Sequence, residues 1–144
     1  MTTADAMPPP SSSIASAPCA APTGNLIPLL HEIRHALTGW LEQGKEHVID
    51  LGNIPLAPGE ADSLLEQLGV GEVSARLALL GASDIIETRY PGVWLITHYN
   101  ETENITGRFI EVCEVPGILK SQAEDSRAGL ERLENELSNA ETTA

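Results

Sequence analysis

Aromatic residues are scarce. Trp40, Tyr90, Trp94, Tyr99 and Phe109 are the whole set, so the core must be built from aliphatic side chains. Each ring is then either a packing anchor or an exposed contact. Cations are also few: eight Lys and Arg against 21 Asp and Glu leave a formal charge of −13, and they are spread from Arg34 to Arg132. No basic patch exists to neutralise phosphates. That argues against nucleic acid and anionic membrane surfaces and points to neutral or basic protein surfaces. The two cysteines, Cys19 and Cys113, cannot supply the four ligands of a structural zinc or an iron–sulfur cluster. A bridge between them would tie a tail to a strand, so two free thiols are expected. No apolar run approaches the roughly 20 residues that span a bilayer. The opening Met1-Thr2-Thr3-Ala4-Asp5 lacks both the basic and the apolar region of an export signal, and Cys19 lacks the hydrophobic segment a lipoprotein site needs. The expectation is a cytoplasmic protein without cofactor or metal.

What is present is centred on Gly69 to Pro116. After Gly69-Val70-Gly71 a strict alternation begins: Val73, Ala75, Leu77 and Leu79 on one side, Glu72, Ser74, Arg76 and Ala78 on the other. A period of two marks a half-buried strand. Three more β-like runs follow, Asp84–Tyr90, Val93–Tyr99 and Ile105–Val115, separated by Gly81-Ala82-Ser83, Pro91-Gly92 and Asn100 to Asn104. Breaks this short join antiparallel neighbours. His47-Val48-Ile49-Asp50-Leu51 is a fifth candidate strand.

Two helical patterns precede the meander. Leu26, Leu29, Leu30, Ile33, Leu37, Trp40 and Leu41 recur at three and four residues, and Gly44 stops them. Pro58 opens the second and Gly69 closes it, with Ala61, Leu64, Leu65 and Leu68 as the buried stripe. Residues 1–24 are Ala, Ser, Thr and Pro with little to bury, a disordered tail. Residues 25–120 read as one α+β domain, a mostly antiparallel sheet of about five strands with helices packed on one face. Residues 121–144 read as an acidic helix and tail, where Leu130, Leu133 and Leu137 form a thin stripe.

His31-Glu32-Ile33-Arg34-His35 matches the H-E-x-x-H pattern of zinc hydrolases. The apolar stripe of that helix lies opposite both histidines, so they face solvent. Arg34 puts a cation between the would-be ligands, and no third ligand is evident downstream. Asn100-Glu101-Thr102 and Asn104-Ile105-Thr106 match glycosylation sequons, read here as turn residues. No nucleophile elbow or phosphate-cradling loop is present, and the chain does not read as an enzyme.

Several stretches together resemble one family: Leu29 to Leu37, Val48-Ile49-Asp50-Leu51, Leu68 to Arg76, Pro91-Gly92-Val93-Trp94 and Phe109 to Pro116. They are similar to the C-terminal conserved region of the HupH/HyaF hydrogenase-expression proteins, with the single-domain HupJ/HoxT type nearest in size. Cys113 stands where a small polar residue is expected. The resemblance implies a cytoplasmic accessory or chaperone protein for nickel–iron hydrogenase maturation. Its implied partner is the immature iron–sulfur small subunit before export, or a sister accessory protein, and a homodimer is left open. The competing readings are a zinc hydrolase through His31, Glu32 and His35, and a cluster or sulfur carrier through Cys113. The partner-binding surface is expected on the polar face and rim of the sheet, at Glu72, Ser74, Arg76, Glu111 and Glu114, with Trp94 as an exposed anchor amid paired charges.

Overall fold

The computed structural model describes residues 24–143, so the expected tail lies, apart from Gly24, outside the described residues, as does Cys19. The elements run α1 (Leu26–Gln43), β1 (His47–Asp50), α2 (Glu60–Leu68), β2 (Ser74–Leu79), β3 (Gly81–Glu87), β4 (Val93–Tyr99), β5 (Ile105–Val112) and α3 (Ala123–Thr142), with short 3-10 turns at Leu51–Asn53 and Gly117–Leu119.

The five strands form one sheet in the order β1-β5-β4-β3-β2, and every pairing is antiparallel. The meander arises because each break is too short for a crossover. β1 joins from the far side, matching Ile49 to Ile110 and Asp50 to Phe109.

The helices stop where their sequence breaks. Gly44 closes α1 in the left-handed region at φ 66°, donating to the Trp40 carbonyl at 2.8 Å. Gly69 closes α2 and donates to the Leu65 carbonyl at 2.9 Å. The buried carboxylate of Glu60 steadies the start of α2, accepting from the Ala57 amide at 3.1 Å and the Gly24 amide at 3.2 Å.

The sheet carries apolar residues on both faces. One face meets α1 and α2: Leu29, Ile33 and Ala36 of α1 and Leu64 and Leu68 of α2 pack on Ile49, Val93, Ile110 and Val112. On the other face Ile85, Trp94, Ile96 and Cys113 form a second cluster, joined by Ala75, Leu77, Phe109 and Leu119.

This second cluster corrects several expectations. Trp94 does point away from the helices, but it is only 4% exposed. Within the alternation of β2, Ala75 and Leu77 reach the second cluster, whereas Val73 and Leu79 are 44% and 78% exposed because they flank its margins. The turn before β3 is tighter than Gly81-Ala82-Ser83: Leu79 and Gly81 are paired across Leu80, and Ala82 and Ser83 belong to the strand. A Cβ on Gly81 would strike the Tyr99 carbonyl, so neighbouring backbone fixes that residue. Strand β5 ends at Val112, before the Val115 expected from the pattern; the Cys113 amide adds one more bond in the same register, to the Gly92 carbonyl, where β4 begins. The acidic helix runs to Thr142 with no buried residue.

Candidate functional site

Cross-strand partners share a face, which places each candidate residue. Ser74, Ile86, Leu95, Ile110 and Ile49 form one row on the helix side of the sheet. Arg76 is two residues on from Ser74 and shares that side. It pairs with Asp84 directly opposite, Nη1 to Oδ1 at 3.5 Å. Glu72, Ser74 and Arg76 are exposed, since α1 and α2 cover the β1 half of the sheet and leave β2 bare. β2 is also an edge, with its outer backbone groups unpaired by any strand among the described residues.

Trp94 and Glu111 lie on the opposite side. Glu87, Trp94, Glu111 and Val48 make up that row. The six expected site residues therefore do not form one surface: the edge set faces the helix side, and Glu111 sits beside the buried Trp94 on the other. Glu114 is exposed just beyond β5.

The family-like stretches meet at Cys113. Its amide donates to the Gly92 carbonyl at 2.9 Å, and its carbonyl accepts the Trp94 indole N–H at 3.1 Å. Gly92 adopts φ 90° with the Trp40 ring against it, where a Cβ would come within 2.9 Å of Cζ3. Pro91-Gly92-Val93-Trp94 and Phe109 to Pro116 thus form one interlocked joint between α1, β4 and the turn after β5. Gly69-Val70-Gly71 has a similar cause. The Gly71 amide donates to the Glu87 carbonyl at 2.7 Å, the Arg89 amide donates to the Leu68 carbonyl at 2.9 Å, and a Cβ at Gly71 would strike the Thr88 carbonyl. Both motifs are explained by close backbone approach.

The electrostatics of the joint suppress thiol chemistry. Burial pushes the Cys113 thiol up to about 11, helped by the charges of Glu111 and Glu46 and opposed by Lys120. At neutral pH it is a protonated, buried thiol, a poor nucleophile and a poor cluster ligand. Burial also raises the Glu111 carboxyl, Glu46 adds to the shift and His98 opposes it.

His31 and His35 are both exposed on α1. Glu32 approaches His47 of β1, Oε1 to Nε2 at 3.5 Å, across an open cleft of about 390 Å3 that His35 also lines and His31 does not. Among the described residues no three His, Cys, Asp or Glu side chains gather as a metal would require. Asn100 holds the β4–β5 turn, its Oδ1 accepting from the amides of Thr102 at 3.0 Å and Asn104 at 2.9 Å, as turn residues should. The features that sequence reading missed are the Trp94–Cys113 clamp and a groove between α1 and α2 beside Tyr90. Neither has a local signal, since each joins residues far apart in the chain. Among the described residues no helix is long and apolar enough to cross a membrane.

Comparison with known proteins supplies what the geometry does not. Residues 24–140 match the family described as HupH hydrogenase expression protein, C-terminal conserved region. The hydrogenase expression/formation protein HupH of Rhizobium leguminosarum bv. viciae is 29% identical over 121 residues, 84% of this chain and 43% of that protein. HupQ of Azotobacter chroococcum, also a hydrogenase expression/formation protein, is 31% identical over 111 residues, 76% of this chain and 39% of that one. The chain thus spans about two fifths of the length of these curated relatives. The solved structure of hydrogenase expression protein HupH from Thiobacillus denitrificans matches with a TM-score of 0.79 at 43% identity, over 83% of this chain and 99% of that one. The chain belongs to the family of the HupH hydrogenase expression protein C-terminal region.

Proposed function

We propose that this chain is an accessory factor in nickel–iron hydrogenase maturation. It acts in the cytoplasm by binding the immature iron–sulfur small subunit or a sister accessory protein, and not by catalysis. The observation that carries this reading is the family match across residues 24–140, which takes in every strand and nearly all of α3. The chemistry of the surface agrees with a binding role: the Cys113 thiol is masked and the H-E-x-x-H histidines are exposed to solvent.

The contact surface is the free edge of the sheet with Glu72, Ser74 and Arg76. A second patch comprises Glu111, the cross-strand neighbour of Trp94, and the exposed Glu114. An edge strand with exposed charged side chains suits an extended segment of a partner, because backbone pairing supplies affinity and the side chains supply selection. Deleting the gene in a hydrogenase-producing host is expected to leave unprocessed small subunit and little hydrogenase activity, with both restored by the wild-type chain. Normal maturation in the deletion strain overturns the proposal. Restoration by a Glu72→Lys, Arg76→Glu variant removes the edge from it while leaving the maturation role.

A further inference from the structure

The margin of α1 that borders α2 and the bare seam of α3 share the same spacing, although Leu30 and Leu37 of the α1 row are half-buried against the core. Along α1, Ile27, Leu30, Arg34, Leu37 and Leu41 follow at alternating steps of three and four, and Ile27 and Leu41 are 61% and 71% exposed. Along α3, Leu130, Leu133, Leu137 and Ala140 keep the same steps, and the three leucines are each more than half exposed. Two helices with a matching 3.5-residue repeat can lie side by side with their side chains interlocked. The α1 row also walls a groove of about 250 Å3, floored by Ile33, Leu68 and Val93 and closed on the far side by Gln67 and the exposed Tyr90.

Charge selects what fits the groove. Arg34 stands within the α1 row, and Arg89 stands nearby with its Nη2 donating to the Gln67 carbonyl at 2.7 Å. Among the described residues neither guanidinium is in an ion pair. The α3 seam is flanked by Glu134, Glu136 and Glu141. Pairing α3 with another α3 would set these acids against one another, whereas the α1–α2 groove opposes them with cations. The helix does not reach the groove of its own chain in this structure. Leu119, just before it, is packed on the far face of the sheet, and no residue of α3 is buried.

We propose that α3 of one copy lies in the α1–α2 groove of a second copy, and reciprocally, so that the chain forms a twofold dimer. The proposal does not depend on the hydrogenase reading. Sedimentation equilibrium of the full chain at physiological salt tests it. The wild type is expected to pass from monomer to dimer as concentration rises. Leu133→Glu and Arg34→Glu fall at exposed positions and are expected to leave the monomer fold and its melting curve intact. Each is expected to weaken the dimer by roughly tenfold or more. Combining Arg34→Glu with Glu134→Arg and Glu136→Arg is expected to restore it. A chain that stays monomeric at every concentration overturns the proposal. So does a dimer lost in Leu133→Glu but unmoved by Arg34→Glu, which would mean that α3 pairs with itself or with another surface.

Discussion

At Trp94 the indole packs with Ile85, Ile96 and Cys113, and its N–H is held by the Cys113 carbonyl. Truncation to Ala removes a buried ring and orphans that carbonyl, so Trp94→Ala is expected to cost about 3–5 kcal/mol in denaturant unfolding. His31→Ala and His35→Ala, on the exposed side of α1, should each stay within about 0.5 kcal/mol. The alternation along β4 was enough to put Trp94 opposite Val93 and Leu95, so its direction was legible in the sequence. Its burial was not, because the backbone that covers it comes from Cys113, nineteen residues away. Glu111 gives a pH signature at the same scale. Its folded-state pKa is raised, mainly by burial, so the native state holds its proton more tightly than the unfolded chain does. Its contribution is therefore largest below the ordinary carboxylate range and is lost as pH rises through the raised value. Glu111→Gln is expected to stabilise the protein at neutral pH and to lose that advantage as pH falls towards 4.5, the ordinary value. Paired thermal melts across that range check it, and an advantage independent of pH would contradict it.

Among the elements, the segment between α2 and β2 and the terminal helix behave in opposite ways. Gly71 runs against the Thr88 carbonyl. Gly71→Ala must push two backbone segments apart and is expected to destabilise the domain by about 1–3 kcal/mol, read by chemical denaturation. Removing α3 from Ala123 onward should change the monomer's stability by less than about 0.5 kcal/mol, because no α3 residue is buried. Both helices before the sheet were legible from their three-and-four spacing and their closing glycines. So was α3, whose thin stripe among acids marked it as weakly held. The ends of the strands were less so. The turn at Leu80 depends on the close approach of Gly81 to the Tyr99 carbonyl, and β5 ends where its partner β4 begins, neither of which a local pattern announces.

On the scale of the whole molecule, an antiparallel sheet carries two helices on one face and a smaller apolar cluster on the other, with its β2 edge left bare. The α+β class followed from the order of periodicities. The division of the expected site between two faces did not, because faces are set by register, and a one-residue slip exchanges them. Arg76 and Glu111 looked like members of one charged surface; they lie on opposite sides of the sheet. The family match joins this architecture to hydrogenase expression proteins, and the remaining question is physical contact with an immature subunit. Co-expression of the tagged chain with the small-subunit precursor, followed by light scattering of the purified material, addresses it most directly. The account predicts a complex of defined mass that Arg76→Glu weakens and His31→Ala leaves intact. A chain that purifies free of the precursor and of every sister accessory protein, from cells that make both, would contradict it.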